Sequence, residues 1–140
     1  MKNKTIIIVL FLILSVLLSL VLYNTYIKRK PEKIVKEVLG FEIINSNYKI
    51  KVFEEQWYEN GDGYCLIIFD NICIEDIITR NELNKLPLSI KLPPTEITSK
   101  LKDFTKGLYW VKINTSDSRN VYLFLYDEIK KRAIFYYQIL

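Results

Sequence analysis

Twenty-three consecutive residues without a charge, Thr5 to Ile27 (TIIIVLFLILSVLLSLVLYNTYI), constrain this chain more than any other feature. From Ile6 to Leu22 the run is apolar apart from Ser15 and Ser19. A helix rises about 1.5 Å per residue, so such a run reaches roughly 35 Å, enough for about 30 Å of hydrocarbon. Both serines can return their hydroxyls to the helix backbone. Tyr23 and Tyr26 stand near the far end, where interfacial aromatics belong, and Lys28, Arg29 and Lys30 close the run. A helix that is apolar on every face does not suit a soluble surface. Residues 5–27 are therefore expected to form a transmembrane helix in the lipid bilayer, with residues 1–4 as a short tail.

A cleaved signal peptide has an apolar core of only about 7–15 residues and then a small-x-small site. Here the run is longer, and its exit, Leu-Tyr-Asn-Thr-Tyr-Ile, offers no such pair. No cysteine follows for lipidation. The expectation is a retained single-pass anchor in the plasma membrane. Counting Lys and Arg near the two ends favours a cytoplasmic domain, because Lys28, Arg29, Lys30, Lys33 and Lys36 outnumber Lys2 and Lys4. A lysine-bearing start followed at once by an apolar run is, however, the arrangement of a signal-anchor. The reading adopted is extracytoplasmic, against the count.

Charge must be divided at the end of that run. Five of the 20 basic residues flank it and all 16 acidic residues lie beyond it, which leaves the rest of the chain 15 basic against 16 acidic groups, a net charge of −1. No basic stripe marks a nucleic-acid surface, so no nucleic-acid partner is expected. Histidine is absent, which excludes His-dependent acid–base chemistry and His-containing zinc sites. Cys65 and Cys73 fit neither a zinc nor a redox spacing, and a strand leading straight into a helix would keep them too far apart for a disulfide.

Residues 28–40 read as a basic juxtamembrane segment with a short helix, Pro31 to Leu39, stopped by Gly40. Ile34, Val35, Val38 and Leu39 form its apolar stripe. Residues 41–140 read as one domain. Strands are expected at Phe41–Ile44, Tyr48–Phe53 with an extension toward Glu59, Tyr64–Phe69, Leu108–Ile113, Asn120–Tyr126 and Arg132–Leu140. Gly61 and Gly63 permit a hairpin loop, and Asp127–Lys131 joins the last two strands. Helices are expected at Cys73–Leu83, capped by Asp70 or Asn71, and at Thr95–Phe104. The fold class is thus α+β: a transmembrane helix, then a small domain with a mostly antiparallel sheet packed by two or three helices.

No catalytic, cofactor-binding or metal-binding residues are assigned. Gly61-Asp62-Gly63 lacks the longer glycine-rich turn and Gly-Lys-Ser/Thr of a phosphate loop and runs into a strand instead. Glu54, Glu55, Glu59 and Asp62 lack the spacing of an EF-hand. Asn114-Thr115-Ser116 matches a glycosylation sequon and marks an exposed loop. Trp57, Tyr58, Tyr109 and Trp110 are the candidate partner-binding residues, because exposed aromatics suit a glycan or a protein partner.

Through NGDGYCLIIFD, then IEDIITRNELNKLPL and the closing AIFYYQIL, the chain resembles small membrane-anchored or lipoprotein-like proteins of AT-rich Gram-positive bacteria. The resemblance covers residues 31–140 and implies an exported α+β domain on a hydrophobic N-terminus, and no particular activity. The expected function is a non-enzymatic binding or interaction module at the cell envelope, acting on an unidentified protein or envelope partner. The alternatives are an immunity or inhibitor protein that caps a toxin, and an enzyme built on carboxylates and tyrosine.

Overall fold

The computed structural model describes residues 2–28, 30–45, 47–88, 97 and 104–140. It divides into two compact units, Met1–Ile34 and Val35–Leu140. The first holds helix α1 (Lys2–Lys28) and the single turn α2 (Pro31–Ile34). Within α1 the 18 residues Ile6–Tyr23 are long and apolar enough to cross a membrane, and none is buried against protein. The two serines take the backbone partners their position dictates. Ser15 Oγ donates to the Leu12 carbonyl and Ser19 Oγ to the Ser15 carbonyl, each at 2.9 Å. Neither hydroxyl is left without a partner in the apolar stretch.

The second unit opens with a π-helical turn, Val35–Leu39, so the expected short helix exists but its second half is wound wider than an α-helix. Val35 and Leu39 are buried while Val38 is 41 % exposed, which removes Val38 from the expected stripe. Gly40 ends the turn with φ +73°, as its position requires. Asn81 Nδ2 donates to the Leu39 carbonyl and Thr79 Oγ1 to the Gly40 carbonyl, both at 3.1 Å. These bonds satisfy two carbonyls at the end of the turn.

Strands β1 (Phe41–Ile43), β2 (Lys49–Trp57) and β3 (Gly63–Asp70) follow. After β3, Asn71 turns the chain at φ +59°, and the expected helix over Cys73–Leu83 is not formed. Its place is taken by a single 3-10 turn, Ile74–Asp76, and by strand β4 (Ile77–Thr79). The spacing of Ile74, Ile77 and Ile78 suits a helix locally. β4 instead pairs with β1, Phe41 opposite Thr79, and buries Ile77. Neither Asp70 nor Asn71 therefore caps a helix. Strands β5 (Asn84–Lys85), β6 (Gly107–Ile113), β7 (Val121–Asp127) and β8 (Arg132–Ile139) complete the chain. The expected helix at Thr95–Phe104 lies outside the described residues, apart from Ile97 and Phe104.

Six strands form one antiparallel sheet in the order β2-β3-β8-β7-β6-β5, with β1 and β4 as a separate two-stranded ribbon. Two of the hairpins have a clear local cause. In the β2–β3 loop the Gly61 N–H donates to the Tyr58 carbonyl at 3.0 Å with Gly61 at φ +88°, a type I turn closed by a left-handed glycine. In the β7–β8 loop the buried Asp127 carboxylate accepts from the Ile129 and Lys130 N–H groups, both at 2.9 Å.

Both faces of the sheet are covered. On one, Leu66, Tyr109, Leu123, Leu125, Ile134 and Tyr136 pack with Ile97 and Phe104. On the other, Phe41 of the ribbon stacks on Phe124 at 4.4 Å and meets Phe135 edge-on at 5.5 Å, and Phe135 meets Phe69. Aromatic contacts of this kind add about 0.5–1.5 kcal/mol each beyond the area they bury. Two covered faces explain why β3, β7 and β8 read as continuous apolar runs.

Candidate functional site

An aromatic row crosses the sheet on the face that Phe41 covers. Cross-strand register aligns Glu55 of β2, Cys65 of β3, Tyr137 of β8, Tyr122 of β7 and Lys112 of β6. The rings of Tyr122 and Tyr137 lie nearly parallel, 6.2 Å apart at 12°. Lys112 Nζ stands 6.0 Å from the Tyr122 ring centre, within cation–π range. Trp57, one step along β2, tilts onto Tyr137 at 5.7 Å.

Trp57 reaches that far because Gly63 is opposite it. A Cβ on Gly63 would meet the indole ring at 2.5 Å and collide with the Gln56 carbonyl. Of the two loop glycines only Gly61 has a positive φ. Gly63 is needed for room.

The four candidate partner-binding residues fall in different places. Trp57 is 42 % exposed, and its Nε1 donates to Glu55 Oε1 at 3.3 Å. Tyr58 is 58 % exposed at the hairpin, and its hydroxyl accepts from Gln56 Nε2 at 2.8 Å. Tyr109 is 2 % exposed in the core and presents no surface. Trp110, the next residue, points to the opposite face, is half-buried, and meets Phe41 edge-on at 5.6 Å. Trp57 and Trp110 share a face but stand four strand spacings apart, roughly 19 Å. Tyr137 and Tyr122 fill the interval.

Beside Trp110 and Tyr122 lies a shallow cavity of about 420 Å³, lined also by Glu37, Val38, Leu39 and Lys112. Lys112 and Glu37 were not among the expected site residues. Lys112 was accessible to sequence reasoning, since it stands two residues after Trp110 and so on the same face. Glu37 was not, because only the π-helical turn brings it there.

The chemistry of this surface is stacking plus two charged groups. Burial raises the Cys65 thiol from its ordinary 9.0 to about 12, with the Glu55 carboxylate adding to the effect and a hydrogen bond from Tyr137 opposing it. Burial likewise raises Tyr137. Both groups stay protonated at neutral pH, so neither is an activated nucleophile. A second cleft of about 620 Å³ is lined by Cys73, Glu75, Lys85, Lys106, Glu128 and Lys131, among others. Its charges partly pair, with Lys106 Nζ 3.3 Å from Glu128. Among the described residues no three His, Cys, Asp or Glu side chains gather as metal ligands. No protein family, curated protein or solved structure matches this chain.

Proposed function

We propose that this chain is a single-pass plasma-membrane protein, retained by α1, whose sheet domain is a non-enzymatic binding module at the cell envelope. The observation that carries the anchor is the apolar run Ile6–Tyr23, long enough to cross a membrane and not buried within the described protein. Leaving that much apolar surface in water is unfavourable by about 25 cal/mol per Å². A bilayer removes the cost. The binding role is supported by the half-exposed indoles of Trp57 and Trp110 and by Tyr122, held on a rigid sheet beside Lys112 and Glu37. Rigid aromatic groups with polar neighbours bind at low entropic cost. The partner side is taken as extracytoplasmic.

The test is extraction of native membranes with alkaline carbonate, followed by intact mass of the retained fraction. The proposal expects the chain in the pellet with α1 attached. Release into the supernatant, or a mass lacking residues 1–30, would exclude a retained anchor.

A further inference from the structure

The sheet face that Phe41 covers opens into the larger cleft at one end. Register places Lys85 of β5 opposite Leu108 of β6, and Leu108 opposite Tyr126 of β7, so these three side chains share that face. Past the ends of β6 and β7 the Glu128 N–H still donates to the Lys106 carbonyl at 3.2 Å. Lys131 enters from the turn before β8. Above these residues stands the wall made by Cys73, Ile74 and Glu75. Two hydrogen bonds tie the start of that wall to the sheet. The Tyr126 hydroxyl donates to the Ile72 carbonyl at 3.3 Å, and the Ile72 N–H donates to the Lys131 carbonyl at 3.0 Å. The enclosed volume of about 620 Å³ is that of a small-molecule site. Phe41, stacked on Phe124 between Tyr122 and Tyr126 of the same strand, stands between this cleft and the aromatic row.

Charge and polarity narrow the occupant. The lining carries three lysines and two glutamates. Lys106 is matched by Glu128 at 3.3 Å, which leaves Lys85 and Lys131 against Glu75. None of these three has an ion pair among the described residues. Excess positive charge in a cleft with protein walls concentrates anions there. Leu108, Ile74 and the ring of Tyr126 supply an apolar surface between the charged groups. A bare inorganic ion would leave that surface wet and most of the volume unfilled.

We propose that this cleft binds a small soluble organic anion with an apolar body, its charge met by Lys85 and Lys131 and its body laid on Leu108 and Tyr126 beneath Ile74. The inference rests on neither the anchor nor the aromatic row.

The experiment follows modification of Cys73 by N-ethylmaleimide, a neutral reagent, in the full-length chain in phosphatidylcholine nanodiscs. Cys73 lies in the cleft wall, so an occupant shields it. Phenyl phosphate is the probe, inorganic phosphate supplies the charge without the body, and benzylammonium supplies the body with the opposite charge. Millimolar phenyl phosphate is expected to slow modification severalfold, and the other two are not. The half-protecting concentration should rise about fivefold in Lys85→Ala and in Lys131→Ala, the worth of a partly screened ion pair. It should fall in Glu75→Gln, which removes a like charge, and stay unchanged in Lys49→Ala on the distant β2. No protection by phenyl phosphate, equal protection by inorganic phosphate or benzylammonium, or lysine variants protected like wild type would each overturn the proposal. Protection by phosphatidylglycerol in the disc with no probe added would overturn a soluble occupant and give the cleft to a lipid headgroup.

Discussion

Arg132 on β8 clasps Asp70 on β3 through two guanidinium nitrogens, Nε to one carboxylate oxygen and Nη2 to the other at 3.2 Å. The two residues are directly opposite in the ladder, and both side chains are about one-quarter exposed. The hydrogen bonds from Arg132 lower the Asp70 pKa from its ordinary 3.8, and the nearby Lys51 helps. A carboxylate lowered by folding stabilises the fold above its unfolded pKa and loses that effect as pH falls through the folded one. The contribution of this pair should thus be fully present and constant with pH near neutrality and decline below about pH 4. Asp70→Asn should cost about 1 kcal/mol at pH 7, allowing for partial solvent screening, and should flatten the acid limb. Urea titrations from pH 7 to pH 2 check both.

The two cysteines should behave differently. Cys65 is 1 % exposed with its thiol raised to about 12, whereas Cys73 is partly exposed in the wall of the larger cleft. A thiol reagent at pH 8 should modify one cysteine in the native protein and two after denaturation, and peptide mapping should identify the first as Cys73. The raised Cys65 pKa also predicts an alkaline limb. The unfolded chain loses the proton near pH 9 while the folded chain holds it to about 12, so stability falls across that interval.

Gly63→Ala should destabilise the domain by about 1–3 kcal/mol, because the added methyl meets the Trp57 ring and the Gln56 backbone. Gly61→Ala meets nothing within 4 Å and should cost only the strain of φ +88°, about 1 kcal/mol. Indole fluorescence should shift in the first variant and not in the second.

Neighbouring residues on β6 should separate stability from binding. Tyr109→Ala removes a core ring and should cost about 3–5 kcal/mol. Trp110→Ala should cost less, because Trp110 is half-buried. A pull-down that recovers a partner with wild type and loses it with Trp110→Ala, at unchanged melting cooperativity, would assign the aromatic row to binding.

The long strands were legible because their patterns are local. β3, β7 and β8 are runs rich in branched and aromatic residues, and the Asp127 turn between β7 and β8 carries its own caps. What escaped the sequence was non-local or smaller than a period. β4 is a strand only because β1, 38 residues earlier by the Phe41–Thr79 pairing, accepts it. One bulge residue at Lys51 sends Ile50 and Val52, which alternate on one face in the sequence, to opposite faces. The candidate site was half legible for the same reason. Strand alternation separates Tyr109 from Trp110, but which of them is buried depends on Ile97 and Phe104 covering one face and Phe41 the other.

The most direct measurement of the central claim is protease digestion of intact protoplasts, followed by intact mass of the membrane-retained fragment. The account predicts that the sheet domain is cut from outside while α1 stays in the membrane. Full protection until the protoplasts are lysed would contradict it, and would place the domain where the count of lysines and arginines beside the span puts it.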